Sequence, residues 1–234
     1  MKKNYKKDTI EKDLKRGRMA KRKRKLKKKV KQKLIVIGIL ATIVFLLIGG
    51  ITLYFIEREK NRVSNYIHFD TAYGVVVTTE LIPTPSISRT GDLRKIKYIV
   101  IHETDNFSSD ATAYNHSLYL QQVLDVNSWH YTVDELGVYR HVPDNEIAWH
   151  AGNAEGNQYG IGIELCVNSG SDFEVTFDNA ARLVAKLLKE YKLPISAIKQ
   201  HYDFSGKDCP AKIRAEDRMD EFIELVKYYL TIEE

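Results

Sequence analysis

From Leu34 to Ile56 the chain reads LIVIGILATIVFLLIGGITLYFI, 23 residues without a charge. As a helix rising 1.5 Å per residue, this run is about 34 Å long, enough to cross a hydrocarbon core of about 30 Å. A surface helix of a soluble domain keeps a polar face, and this run has none. Tyr54 and Phe55 stand near its far end, where aromatic rings favour the membrane–water interface. A cleaved signal peptide has a shorter apolar core, about 7–15 residues, and then a small-residue cleavage site. Here the run passes instead into EREKNR. The expectation is a single uncleaved transmembrane helix over residues 34–56.

The charges fall on either side of this bar with opposite sign. Residues 1–33 hold 18 Lys and Arg against 3 Asp and Glu, whereas residues 57–234 hold 18 against 28. The net charge of +5 therefore averages a basic tail and an acidic body. Because KRKRKLKKKVKQK abuts the span, the positive-inside rule puts the tail in the cytoplasm and the acidic body outside the cell membrane. Anionic lipids of the inner leaflet are the partner this tail suits. Tyr5 is its only aromatic residue, so a nucleic-acid partner is not expected. The two cysteines, Cys166 and Cys209, cannot build the disulfide framework of a small secreted domain.

Four divisions follow: a basic cytoplasmic tail (1–33), the span (34–56), an extracellular stalk (57–79) with Pro, Ser and Thr punctuation beyond it, and a folded domain (80–234). YGVVVTT, within the stalk, has the composition of a short strand. In the domain, KIKYIVIHE is a strand whose β-branched run suits burial on both faces. SSDATAYNHSLYLQQVL reads as a helix capped by Ser109 or Asp110. WHYTV and VYRHV form a hairpin turning at Asp134 to Gly137, and YGIGIELCVN is a further strand. FDNAARLVAKLLKEYKL and IRAEDRMDEFIELVKYYL are amphipathic helices, the second closing the chain. The fold class is α/β, a central mixed β-sheet flanked by helices and preceded by the transmembrane helix.

QHYDFSGKDCP, residues 200–210, gathers His201, Lys207 and Cys209 in one loop. Imidazole and thiolate suit zinc, and His102, ending the KYIVIH strand, is the best third ligand. Three protein ligands with one open position describe a catalytic zinc. The spacing alone leaves open that His201 and Cys209 are plain loop residues. Glu164 lies among apolar neighbours in IGIELC, where burial raises a carboxyl toward the range of a proton shuttle; an exposed edge-strand position is its rival reading. Alternation puts Cys166 on the same face as Glu164, but a strand-interior cysteine is more often a packed hydrophobe. Lys207, two residues before Cys209, suits the oxyanion of a tetrahedral intermediate. Among the other histidines, His116 falls on a helix with exposure as the default, and His130 and His141 suit packing. His150, in AWHAG, suits a substrate contact.

Taken together, IVIHET, SWHYTVDELGVYRHVPDNEIAWHAGN, YGIGIELCVN and QHYDFSGKDCP resemble, in order and spacing, the zinc-dependent N-acetylmuramoyl-L-alanine amidases of type 2. That family includes amidase-type phage lysozymes and peptidoglycan recognition proteins. The resemblance covers about residues 80–230. It implies zinc ligation by His102, His201 and Cys209, with Glu164 as the acidic catalytic residue and Lys207 stabilising the intermediate. The implied substrate is peptidoglycan or its muropeptides, cut at the amide between N-acetylmuramic acid and L-alanine. The chain departs from several members at Trp129, where they carry a catalytic tyrosine. An indole is a donor only, so proton transfer rests on Glu164, and Trp129 joins His150 as a substrate-contacting residue. A bacterial surface enzyme is the expectation. The alternative is a peptidoglycan-binding ectodomain of the same fold that does not cut, usually marked by loss of the thiolate ligand.

Overall fold

The computed structural model describes residues 2–60 and 63–233; Asn61 and Arg62, within the expected stalk, lie outside the described residues, as do the side chains of residues 2–15, 20 and 57–60. The chain divides into two compact units, Met1–Asn61 and Arg62–Glu234.

The first unit is one helix, α1 (Lys2–Lys60). Every side chain from residue 34 to 56 is exposed on it, as expected of a helix apolar on all faces. It is long and apolar enough to cross a membrane by length and composition.

The second unit is built on seven strands: β1 (Thr71–Ala72), β2 (Val75–Thr79), β3 (Tyr98–Glu103), β4 (Tyr131–Asp134), β5 (Gly137–Arg140), β6 (Gly160–Leu165) and β7 (Ile198–Gln200). Their order across the sheet is β1-β2-β5-β4-β6-β3-β7. β3 pairs parallel with β6 and with β7, and β4 pairs parallel with β6. The β4–β5 hairpin is antiparallel. Its turn is closed by Asp134, whose Oδ1 accepts from the N–H groups of Leu136 and Gly137 at 2.9 and 3.1 Å, the local side-chain bond that makes aspartate a turn residue.

Alternation along the strands sorts the two faces of the sheet. Ile99, Ile101, Ile161, Ile163, Tyr131 and Val133 turn one way into the main core. There they meet α4 (Phe173–Tyr191) and α7 (Met219–Thr231). α4 begins at Asp172, whose carboxylate accepts from Glu174 and Val175 N–H, and buries Phe177, Ala181, Val184, Leu187 and Leu188. Val100, His102, Gly162, Glu164 and Thr132 occupy the alternate positions, on the other face. α2 (Ala113–Gln121) packs against β4 and β5, and its Leu120 forms a small cluster with Ile82, Val142 and Ala148.

Three expectations need correction. The folded unit starts well before residue 80: β1 and β2 belong to the sheet, β2 lying parallel to β5. Ile67 N–H donates to Tyr191 Oη at 3.2 Å and Arg140 Nη1 to Tyr66 Oη at 3.0 Å, so much of the expected stalk is folded structure. The last helix is broken at residues 216–218, separating α6 (Ala211–Ala215) from α7. Asp217 adopts a positive φ of 54°, and Arg218 reaches Glu174 of α4 through two bonds of 2.7 and 2.6 Å. A fork-to-carboxylate pair of this kind fixes geometry as well as energy. Finally, α2 is capped by Thr112, which accepts from Asn115 N–H, later than Ser109 or Asp110.

Candidate active site and metal centre

The parallel register of β3 and β6 sets His102 directly beside Glu164, and that of β6 and β4 sets Glu164 beside Thr132. These three form one lateral row on the face away from α4. His201 follows β7, and its N–H donates to Ile101 O at 3.2 Å, seating it against the end of β3. One turn of helix, α5 (Tyr202–Ser205), comes next and is capped by Gly206 at φ 74°, a backbone region glycine enters without strain. The loop then returns, and Tyr202 N–H donates to Cys209 O at 3.0 Å, bringing the thiol back over His201. Beyond it, Glu103 accepts from the N–H groups of Lys212 and Ile213 at 2.6 and 3.0 Å. The residue next to His102 thus anchors the chain just past Cys209.

His102 Nδ1 lies 3.0 Å from His201 Nδ1 and 3.9 Å from Cys209 Sγ. All three donor atoms fall within 4.8 Å of one another, and all three residues are buried. Bonds of about 2.0–2.3 Å at tetrahedral angles separate zinc ligand atoms by roughly 3.3–3.6 Å, so the observed spacings bracket what a zinc ion requires. The chemistry of the donor set agrees. Burial, with the His150 and His201 rings beside it, holds His102 well below the usual imidazole pKa, and burial lowers His201 too; neutral rings are the ligating form. Burial also pushes the Cys209 thiol up to about 12, helped by Glu164. A bound divalent cation acts against this, because a coordinating thiol is deprotonated.

Glu164 Oε1 lies 3.7 Å from His102 Nδ1, while Oε2 is buried without a hydrogen-bond partner. Burial raises its carboxyl to about 8, and the charge of Lys207 offsets part of that rise. The two line one cleft of ≈ 1040 Å³ with His201, Cys209, His150 and Trp129. All the sequence-expected site residues except His102 line this cavity, and the buried His102 reaches it through Nδ1, 3.0 Å from His201 Nδ1. Their individual environments differ. Trp129 Nε1–H is bonded to Thr132 Oγ1 at 2.7 Å, so the indole presents its ring to the cleft. His150 is engaged inside the protein at both ring nitrogens, with His102 Nε2 and Gly160 O. Cys166 stands apart from the cluster, fully buried, its Sγ 4.0 Å from His116 Nδ1.

Sequence reasoning passed over the far wall of the cleft. His116 is half-buried and lines it together with Tyr119, Asn115 and Trp149. The helical spacing of 115, 116 and 119 puts these residues on one stripe of α2, which was the available signal. His116 packs edge-on to Trp129 at 6.3 Å between ring centres, a contact no spacing rule announces.

Residues 92–212 match a family described as N-acetylmuramoyl-L-alanine amidase. Over 142 residues the chain is 38% identical to N-acetylmuramoyl-L-alanine amidase CwlH of Bacillus subtilis, covering 59% of this chain and 57% of that one. It is 38% identical to XlyA of the same organism over 141 residues, covering 59% and 48% respectively. The solved catalytic domain of XlyA superposes with a TM-score of 0.62 at 36% identity, covering 65% of this chain and 99% of that domain. This chain thus spans about half the length of the curated relatives it matches. The match extends over more than half of the chain, from the approach to β3 through the cysteine loop, and by it the chain belongs to the N-acetylmuramoyl-L-alanine amidase family.

Proposed function

We propose that this chain is a membrane-anchored, zinc-dependent peptidoglycan amidase, hydrolysing the amide between the lactyl group of N-acetylmuramic acid and L-alanine of the stem peptide. The observation that carries the reading is the juxtaposition of a buried His102–His201–Cys209 donor set with the cleft-lining carboxylate of Glu164, whose buried Oε2 has no hydrogen-bond partner. Zinc, when bound, supplies Lewis-acid polarisation and a water acidified toward neutrality. Glu164 accepts the proton of the attacking water at Oε2 and delivers it to the departing amide nitrogen. Lys207 Nζ offsets the negative charge that develops on the carbonyl oxygen. The ring faces of Trp129 and His150 bound the cleft and position the substrate. A wall-directed substrate fits a chain whose apolar helix holds the catalytic unit outside the membrane, with the basic segment on anionic lipids inside.

One experiment tests bond and anchor together. Carbonate-washed membranes carrying the full chain are incubated with purified peptidoglycan, with and without chelator, and the products are analysed by mass spectrometry. Free stem peptides beginning in L-alanine should appear, chelator should abolish them, and the activity should stay in the pellet. Cleavage at another bond overturns the assigned reaction, and activity in the carbonate wash overturns the anchor.

Lys207→Ala should lower kcat by about 10²–10³, the usual cost of losing one oxyanion-stabilising donor. Its zinc content should be unchanged, since Lys207 is exposed and holds no ligand. Steady-state kinetics alongside metal analysis reads both.

A further inference from the structure

The hydrogen bonds of His150 determine which nitrogen of His102 is free. His150 Nε2 lies 3.0 Å from Gly160 O. A carbonyl oxygen only accepts, so this nitrogen carries the proton and Nδ1 of the neutral ring keeps its lone pair. That Nδ1 lies 3.0 Å from His102 Nε2, which must then be the donor. With its proton on Nε2, His102 has its lone pair on Nδ1, the atom facing His201 and Cys209. We propose that His150 is a positioning residue that holds His102 in the Nε2–H tautomer and so presents Nδ1 for metal ligation. The inference rests on the zinc reading above and extends it to a residue outside the ligand set.

The backbone around His150 is shaped for this role. A Cβ at residue 162 would stand 2.7–2.9 Å from three atoms of the His150 ring, closer than real Cβ atoms come. Gly162 on β6 is therefore the floor on which the imidazole rests. At residue 160 a Cβ would meet Gly156 O and Val100 Cγ2, each at 2.6 Å, so the strand that supplies the accepting carbonyl also tolerates no side chain there. From the other side, Asn157 Oδ1 accepts from His150 N–H at 2.9 Å and Ala151 N–H at 2.7 Å, which fixes the backbone carrying the ring. The ring meets His102 edge-on, with centres 5.0 Å apart and planes at 82°. No nitrogen is left for a substrate hydrogen bond, so the contact His150 offers the substrate is its ring surface.

Two substitutions separate positioning from packing. His150→Phe keeps a ring over Gly162 but has no acceptor for His102 Nε2–H. His150→Asn loses the ring but can place Oδ1 near the position of the imidazole Nδ1. Zinc affinity of the full chain in detergent is measured by competition with a chromophoric chelator, with melting temperature as the control for folding. Removing such an outer partner of a ligating histidine typically costs 10–100-fold in affinity. His150→Phe should show a loss of about that size, and His150→Asn should recover most of it. Wild-type affinity in His150→Phe overturns the inference, as does equal loss in both variants. A wild-type chain that takes up no zinc overturns the metal reading itself and this inference with it. Should His150→Phe not fold, nitrogen-15 spectra of the metal-free wild type decide: a proton on His102 Nε2 supports the inference, and one on Nδ1 overturns it.

Discussion

Replacing Glu164 with glutamine should reduce turnover by about 10²–10⁴, the range expected for a general acid–base residue, in a protein that still folds and still holds zinc. The amide has nearly the shape of the carboxyl group but does not accept a proton at neutral pH. In the wild type, Oε2 is buried without a protein partner, so no structural hydrogen bond is lost with it. Glu164 sits between Ile163 and Leu165, both fully buried, on a strand paired on both sides, which leaves the backbone little room to respond. Burial is also why the charge is costly: it raises the carboxyl to about 8. A group raised in this way weakens the fold once it ionises. The neutral amide should therefore leave the melting temperature unchanged or raise it. Turnover on purified muropeptides at saturating zinc, zinc content and melting temperature make the test. A variant with wild-type kcat would end the assignment of Glu164 as the base. Trp129 is only a donor and both His150 nitrogens are taken, so neither of these cleft residues inherits the role.

What was legible beforehand divides along physical lines. The apolar run, β3, the hairpin and α4 are local signals, and each appears close to where its period or turn chemistry puts it, α4 beginning a turn earlier than read, at Phe173. The His102, Glu164, His201, Lys207 and Cys209 group was readable because strand ends and one loop carry it, and the family resemblance put the pieces in order. β2 was readable as a strand in YGVVVTT, but neither its membership of the sheet nor β1 was. Their place in the sheet depends on parallel pairing of Val77–Thr79 with Val138–Arg140, a contact between segments about sixty residues apart, and local composition is blind to that distance. The break at residues 216–218 carries no Gly or Pro; Arg218 bonding to Glu174 on another helix accompanies it. His150 was read as a substrate contact and lines the cleft; the two bonds that commit its nitrogens come from β3 and β6 and leave no local trace in the sequence. Cys166 stays on the face of the sheet that alternation assigns it, yet outside the donor cluster. β6 ends at Leu165, and one residue later the thiol lies against His116, which lines the same cleft as Glu164.

Cys209→Ala should weaken zinc binding by about 10²–10³, and activity at limiting zinc should fall with it. If about 10–16 kcal/mol of zinc binding is shared among four ligands, one thiolate accounts for about 2.5–4 kcal/mol, or roughly 10²–10³ in affinity. The fold should tolerate the change. The loop is held by Tyr202 N–H on Cys209 O, by Glu103 on the first turn of α6, and by Arg214 on Asp208 at 2.7 Å. None of these bonds uses the sulfur, whose contacts in the protein are His102 Nδ1 at 3.9 Å and Glu103 O at 4.0 Å. Metal-free melting temperature should therefore change little, while the upward shift that zinc gives the wild type should largely disappear. Cys209→Asp restores an anionic ligand of a kind zinc accepts and should recover part of the affinity. Cys166→Ala is the internal control: that thiol is outside the donor cluster, so zinc affinity should match the wild type. Tight binding by Cys209→Ala together with its loss in Cys166→Ala would transfer the ligand role to the other cysteine and undo the assigned set.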